Sequence, residues 1–285
     1  MNAVLDKDTG VTGIEKGASN WLAKIDLAFQ HRDNNTVLSH RLHQGPLAVQ
    51  KPFYPEGNTC HIYLLHPPGG VVGGDQLKIN IDVANKAHSL VTTPGSGKLY
   101  RSAGPEAQIE QHFRVASGGV LEWLPQDTIL FNGCKVNMLT RVDLEQQASF
   151  IGWEILCLGR PTSGELFTSG YSRQRFELWR EGQPLVLERN RFTGGESLLK
   201  TSWGLQNFPV AATMLATPAT KEMLEAVREE VKDTGLSITL LDDVLVCRYL
   251  GLQGEYARNV FKQAWTIIRP LLLNKPACPP RIWAT

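Results

Sequence analysis

Asp75 is the residue around which the candidate chemistry gathers. It closes the run HPPGGVVGGD over 66–75, in which four glycines precede one carboxylate. Glycine adopts backbone conformations closed to other residues and lets a ligand or a second chain come close. The run therefore fits a shaped surface better than a flexible spacer, although tight turns of a β protein account for it as well. Two more carboxylates stand in unusual settings: Glu165 ends Gly-Arg-Pro-Thr-Ser-Gly-Glu over 159–165, and Glu188 follows the apolar Leu185, Val186 and Leu187. A carboxylate taken out of water needs a cation or hydrogen-bond donors, which Arg101, Arg160 and Arg189 are placed to supply. Such residues make structural ion pairs. They also serve as the acid and base of a glycosidase, a role set by a separation that sequence does not give.

Other chemistries find less support. Pro94-Gly95-Ser96-Gly97-Lys98 has the look of a P-loop, but that motif needs glycine where Thr92 stands, a hydroxyl where Leu99 stands and a helix directly after. An autonomous nucleotidase is excluded. All seven histidines fall between His31 and His112, yet their spacings match no ligand set; His66, next to the glycine run, is the weaker companion of the carboxylates. Cys60, Cys134, Cys157, Cys247 and Cys278 are odd in number and scattered, with no C-x-x-C pair. They predict neither a disulfide framework nor a thiolate zinc site.

The elements that must position these residues are mostly strands. Ala23, Ile25, Leu27 and Phe29 alternate with Leu22, Lys24, Asp26 and Ala28, Leu77, Ile79, Ile81 and Val83 alternate with polar residues, and Val136, Met138, Thr140, Val142 and Leu144 keep the same period of two. Asp33-Asn34-Asn35, Asn85-Lys86, Ser117-Gly118-Gly119, Asn132-Gly133 and Glu181-Gly182 separate them, and the reading predicts successive hairpins. The glycine loops at 66–75 and 94–98 then lie near the ends of one hairpin. Toward the C-terminus the pattern changes. Thr217-Pro218 predicts the cap of a helix over 218–233, a hairpin turns at Asp242-Asp243, and a second helix over 256–269 ends at Pro270. The predicted fold is mainly β, a layered antiparallel or mixed sheet body carrying an αββα element. Residues 20–285 read as one domain and 1–19 as a disordered polar tail.

Composition bounds the partners. Hydrophobic residues make up 42% of 285, enough for a large core, and 29 basic against 28 acidic residues give no general attraction to nucleic acid or membrane. The absence of a signal-like or membrane-spanning run makes the cytoplasm the expected location.

Taken in order, the short blocks resemble the urease accessory proteins called UreD, or UreH in some bacteria. They include Gln44-Gly45-Pro46-Leu47, HPPGGVVGGD, Thr93-Pro94-Gly95 with Lys98, Tyr100-Arg101-Ser102 and Glu122-Trp123-Leu124-Pro125-Gln126. Leu158-Gly159-Arg160, Ser163-Gly164-Glu165, Arg248-Tyr249-Leu250-Gly251 and the run 280–285 follow. The resemblance implies a non-enzymatic role in building the urease nickel centre, in complex with a UreF-type protein, a UreG-type GTPase and apo-urease, with room for a homodimer. It implies Ni²⁺ as transient cargo, with no tightly bound cofactor. Nickel sits high in the Irving–Williams order, so a fixed nest of histidines and thiolates would retain it. Polar and carboxylate stations let a cation leave, and Asp75, Glu165, Glu188 and His66 are the expected ones. The two C-terminal helices with Arg281, Ile282 and Trp283 are expected to dock the UreF-type partner. A β-sheet hydrolase with paired carboxylates is the alternative.

Overall fold

The structure, a computed structural model, describes residues 21–284; the expected tail over 1–19 lies outside the described residues. The chain enters as the hairpin β1 (Leu22–Arg32) and β2 (Asn35–Gln44), turned by Asp33 and Asn34, both at positive φ. After the short β3 (Ala48–Val49) and β4 (Cys60–Leu65), it alternates between two sheets. β5 (Gln76–Val83), β8 (Ala107–Val115) and β11 (Lys135–Leu144) lie in one; β6 (His88–Thr92), β9 (Val120–Trp123) and β12 (Ser149–Arg160) lie in the other. The short β7 (Gly97–Leu99), β10 (Thr128–Leu130) and β13 (Glu165–Leu166) extend the second sheet. The hairpin β14 (Tyr171–Arg180) and β15 (Gln183–Thr193) completes the first. β16 (Val210–Thr217), helix α1 (Lys221–Glu230), β17 (Ser237–Leu241), β18 (Val244–Gly251) and helix α2 (Gly254–Leu273) complete the second sheet and cover its far side.

Among the described residues three layers result: a seven-stranded sheet, an eleven-stranded sheet and two α-helices. One apolar core fills the space between the sheets, and a second joins the inner sheet to α1 and α2. The layered, mainly β body and its αββα element are as expected. The pattern of burial follows from the layering. β5 and β11 alternate because one face meets solvent, whereas β6 is buried throughout and β12 nearly so, because both faces are covered.

The pairing differs from the predicted run of hairpins. β5 and β6 belong to different sheets, as do β8 and β9, and β10 and β11. Each connection is an arch that carries the chain across the core; two arches return it to the starting sheet in the original direction, so the neighbours β5–β8, β8–β11 and β11–β14 are parallel. Gln76 faces Gln108, Gln108 faces Asn137 and Asn137 faces Arg173, offsets of 32, 29 and 36 residues that leave no fixed repeat in the sequence. Asn132-Gly133 explains its own misreading. Gly133 alone is at positive φ, and Cys134 N donates to Phe131 O over 3.0 Å, a type II turn. The true hairpin turn Glu181-Gly182 has positive φ at both residues, which matches the twist of paired strands.

Two helix boundaries also move. The cap of α1 is Thr220, whose hydroxyl accepts from Met223 N; Thr217 ends β16, where its hydroxyl accepts from Arg180 Nη2 over 2.8 Å. Pro270 lies inside α2 and does not end it. Its ring forfeits one backbone donor, but the helix runs on to Leu273, and left-handed Asn274 donates its N–H to the Pro270 carbonyl. No helix among the described residues is long and apolar enough to cross a membrane.

Candidate functional site

The glycine loops meet although their strands are not a hairpin. Val71 bridges to Leu99, and Val71 N and Tyr100 N exchange backbone hydrogen bonds with Lys98 O and Val71 O at 2.8 Å. A Cβ on Gly70 would stand 2.2 Å from the Tyr100 ring, and one on Gly73 would stand 2.1 Å from Ser102 Oγ, so glycine is required at both. Asp75 holds the loop shut: Oδ2 accepts from Val72 N at 3.0 Å, and its own N–H donates to Val72 O at 3.1 Å. From Tyr100 the contacts continue through Phe131 to Arg160, whose guanidinium lies 4.5 Å from the Phe131 ring centre. Arg160 pairs with Glu165, which also accepts from Asn132 N at 2.8 Å. These donors hold the Glu165 carboxyl below the usual carboxylate range, first through the backbone bond and then through Arg160. One loop cap at the end of the sandwich thus gathers blocks spread over 66–165.

Behind the cap, a cavity of about 500 Å³ runs between the sheets. His66, Gly70 and the 94–98 loop line its mouth; Leu47, Leu77, Ile79 and Trp123 make its walls apolar. Burial pulls the His66 imidazole below its usual pKa, and the charge of Asp75 partly offsets that. At the inner end stand Gln111, Thr140 and Glu154. Glu154 faces the inter-sheet core because Phe150 and Leu156, which share its side of β12, do so. Its carboxyl bonds Thr140 Oγ1 and accepts from Gln174 Nε2, and burial raises its pKa despite them.

Thr140 joins Glu154 to the opposite wall of the cavity. Its hydroxyl lies 3.1 Å from Gln111 Oε1 and also contacts Glu154 Oε1, two acceptors for one proton. In its neutral form, which burial favours, Glu154 would donate to Thr140 and leave the Thr140 proton to Gln111. The polar row continues: Asn190 Nδ2 donates to Gln174 Oε1, and Glu188, whose charge reaches Glu154, pairs with half-exposed Arg248 at the sandwich edge.

Of the expected site residues, the structure brings His66 and Asp75 together at the cap. Glu165 stands on the cap's outer side and Glu188 at the far end of the polar row; His66 alone of the four lines the cavity. With Glu165 tied to Arg160 and Glu188 to Arg248, each carboxylate has its own cation, which does not favour a hydrolase pair. Trp283 is turned inward. It packs 5.8 Å from the rings of Trp153 and Trp265, and its Nε1 donates to Thr92 Oγ1 at 2.9 Å. No cluster of three or more His, Cys, Asp or Glu among the described residues is disposed to hold a metal ion.

Sequence reading missed Glu154, Thr140, Gln111 and Gln174. The available signal was Glu154 itself, a carboxylate inside the apolar run Phe-Ile-Gly-Trp-Glu-Ile-Leu-Cys-Leu of β12. It missed the buried ion cluster too. Glu122, fully buried, accepts from Arg269 Nε at 3.0 Å, Trp265 Nε1 at 2.7 Å and His88 Nε2 at 2.7 Å. Arg269 also binds Glu56 through two donors, at 2.8 and 2.6 Å.

Comparison with known proteins agrees with the resemblance. A family model described as UreD urease accessory protein matches residues 22–284. A Citrobacter koseri protein named urease accessory protein UreD is 46% identical over 267 residues, 93% of this chain and 92% of that one. The namesake from Alcanivorax borkumensis is also 46% identical, covering 98% and 96%. One from Azoarcus is 43% identical over the full length of both. With the match running from β1 through the last described turn, the chain belongs to the UreD family of urease accessory proteins.

Proposed function

We propose that the protein is a non-enzymatic scaffold for installing nickel in apo-urease, acting in the cytoplasm with a UreF-type protein and a UreG-type GTPase, and with a second copy of itself within that complex. We propose also that Ni²⁺ passes through the sandwich, with the loop cap of His66, Asp75 and Glu165 at one end and Glu188 at the other. The observation that carries this reading is the polar row from Glu154 to Glu188, which continues an internal cavity to the edge of the molecule. Buried polar groups cost stability unless they are hydrogen-bonded, and this row supplies its own partners from Thr140 through Glu154 and Gln174 to Asn190. A neutral Glu154 suits transfer: an arriving cation displaces its proton, and the proton's return releases the cation. Each station has few ligands, so residence is short.

The test is activation of urease co-expressed with variants and nickel. Asp75→Ala, Glu165→Ala and Glu188→Ala should each lower activation severalfold, with partners still co-purifying. Normal activation in all three would end the passage reading and leave a plain scaffold.

Docking of the UreF-type partner is assigned to α1, α2 and the end formed by Arg281, Ile282 and Trp283. Because Trp283 sits in the chain's own tryptophan cluster, deleting the end would disturb the core as well. The exposed Arg281 separates the two effects. Arg281→Glu should leave thermal stability within about 0.5 kcal/mol, as surface changes do, while reducing recovery of the partner in co-purification. Undiminished recovery would remove Arg281 from the interface.

A further inference from the structure

Arg173 and Arg175 on β14 stand directly opposite Arg191 and Arg189 on β15. Ser172, Gln174 and Phe176, which alternate with the first two, are buried, and so is Phe192 beside Arg191. All four arginines therefore project from the outer face of the seven-stranded sheet. They form a square of side roughly 5 Å across the strands and 7 Å along them.

Four other cations on this face have carboxylate partners, while Arg32 and Lys135 bond the Gln30 amide and the Gly104 carbonyl instead. Lys24 pairs with Asp26 at 2.8 Å, Lys78 with Glu110 at 3.4 Å, Arg114 with Asp82 at 2.5 Å and Arg141 with Asp143 at 2.8 Å. In the square, Arg173 alone reaches a carboxylate, Glu106 at 3.5 Å; Arg175, Arg189 and Arg191 have no ion-pair partner among the described residues. Like charges placed opposite one another destabilise a sheet. In a chain of net charge +1 the arrangement is local, and a bound anion would relieve it.

We infer that this square, with the free edge of β15, docks an acidic extended segment of a partner protein. Among the described residues β15 ends its sheet with β14 as its one hydrogen-bonded neighbour, so it offers a row of backbone donors and acceptors with no partner among them. A segment added there in β conformation presents every second side chain to the outer face, the spacing of Arg189 and Arg191. Carboxylates at those positions take forked arginine bonds. The boundaries favour a peptide over a nucleic acid: Glu177 follows Arg175 by two residues, and exposed Leu187 stands opposite Glu177. A phosphate strand continuing along the hairpin would meet that carboxylate, whereas an apolar side chain of a peptide would cover Leu187.

The probe is a rhodamine-labelled peptide of alternating glutamate and valine, titrated by anisotropy against the full-length chain at low and physiological salt, beside an oligothymidylate of equal charge. Binding of the peptide, slower amide hydrogen exchange across Gln183–Thr193 and at least tenfold weaker binding to Arg189→Glu/Arg191→Glu are expected. Arg189→Gln/Arg191→Gln should fall between, and Lys232→Glu, near the end of α1, should bind as the parent. Three results overturn the inference: affinity unmoved by the reversal, equal oligothymidylate binding without protection of β15, or no peptide binding at low salt. The last would leave the arginines as guards against edge-to-edge association. None of these outcomes depends on nickel transfer.

Discussion

Arg269→Met is expected to cost about 3–5 kcal/mol of folding stability, the range for removing one partner of a buried charge cluster. Arg269 is fully buried near the end of α2 and answers two carboxylates from distant parts of the chain, Glu56 before β4 and Glu122 on β9. Its guanidinium also lies over the Trp265 ring and donates to the Pro276 carbonyl. Methionine fills much of the volume but leaves Glu122 with only His88 and the charge of Lys275 to answer it. A urea melt measures the loss; a midpoint unchanged with constant slope would show that the cluster contributes little.

The same cluster should make the protein acid-sensitive. Glu56 is desolvated, which raises its pKa, but His61 and Arg269 outweigh this and hold it at about 2; Glu122 is also lowered, by His88, Arg269 and Trp265 against its burial. A carboxyl depressed in the folded state stabilises the fold above its unfolded pKa, near 4.5, and that contribution disappears as pH falls through the folded value. Stability should therefore decline between about pH 4.5 and about pH 2, by roughly 3 kcal/mol for Glu56 at the linkage rate. In Arg269→Met the decline should be shallower. An equally steep acid limb would assign the sensitivity to other carboxylates.

Glu154→Gln should separate function from folding. The amide can donate to Thr140 and accept from Gln174, the bonds a neutral Glu154 makes, so the hydrogen-bond pattern survives. Stability at neutral pH should be unchanged or higher. The sign follows from the raised pKa of Glu154: its neutral form favours the fold, its ionised form opposes it above the unfolded pKa, and the amide never ionises. What the amide cannot do is exchange a proton for a cation. Under the proposed passage, urease activation should fall at least about tenfold, the usual scale for losing a metal-handling group. Full activation would place the cation's path elsewhere, and a coincident loss of stability would show that Glu154 is structural.

Local pattern in the chain was sufficient for much of this molecule. The alternation in β5 and β11 records one wet face and one dry face, and the two-residue turns Asp33-Asn34, Glu181-Gly182 and Asp242-Asp243 gave true hairpins, with positive φ at both residues of the first two and at Asp242 of the third. The glycines at Gly70 and Gly73 marked a close approach before the approaching residues, Tyr100 and Ser102, could be known. Ordered short blocks carried the family. Tertiary structure alone decided which strands are neighbours, since an arch and a hairpin leave the same period of two, and parallel partners near 30 residues apart are chosen by where the apolar faces can be buried together. It also decided which carboxylates matter. The pull between charges depends on distance through space, so Glu56 and Arg269, 213 residues apart, leave no local trace of their meeting, and Glu154 looks like an accident in an apolar run until Thr140 and Gln174 stand opposite it.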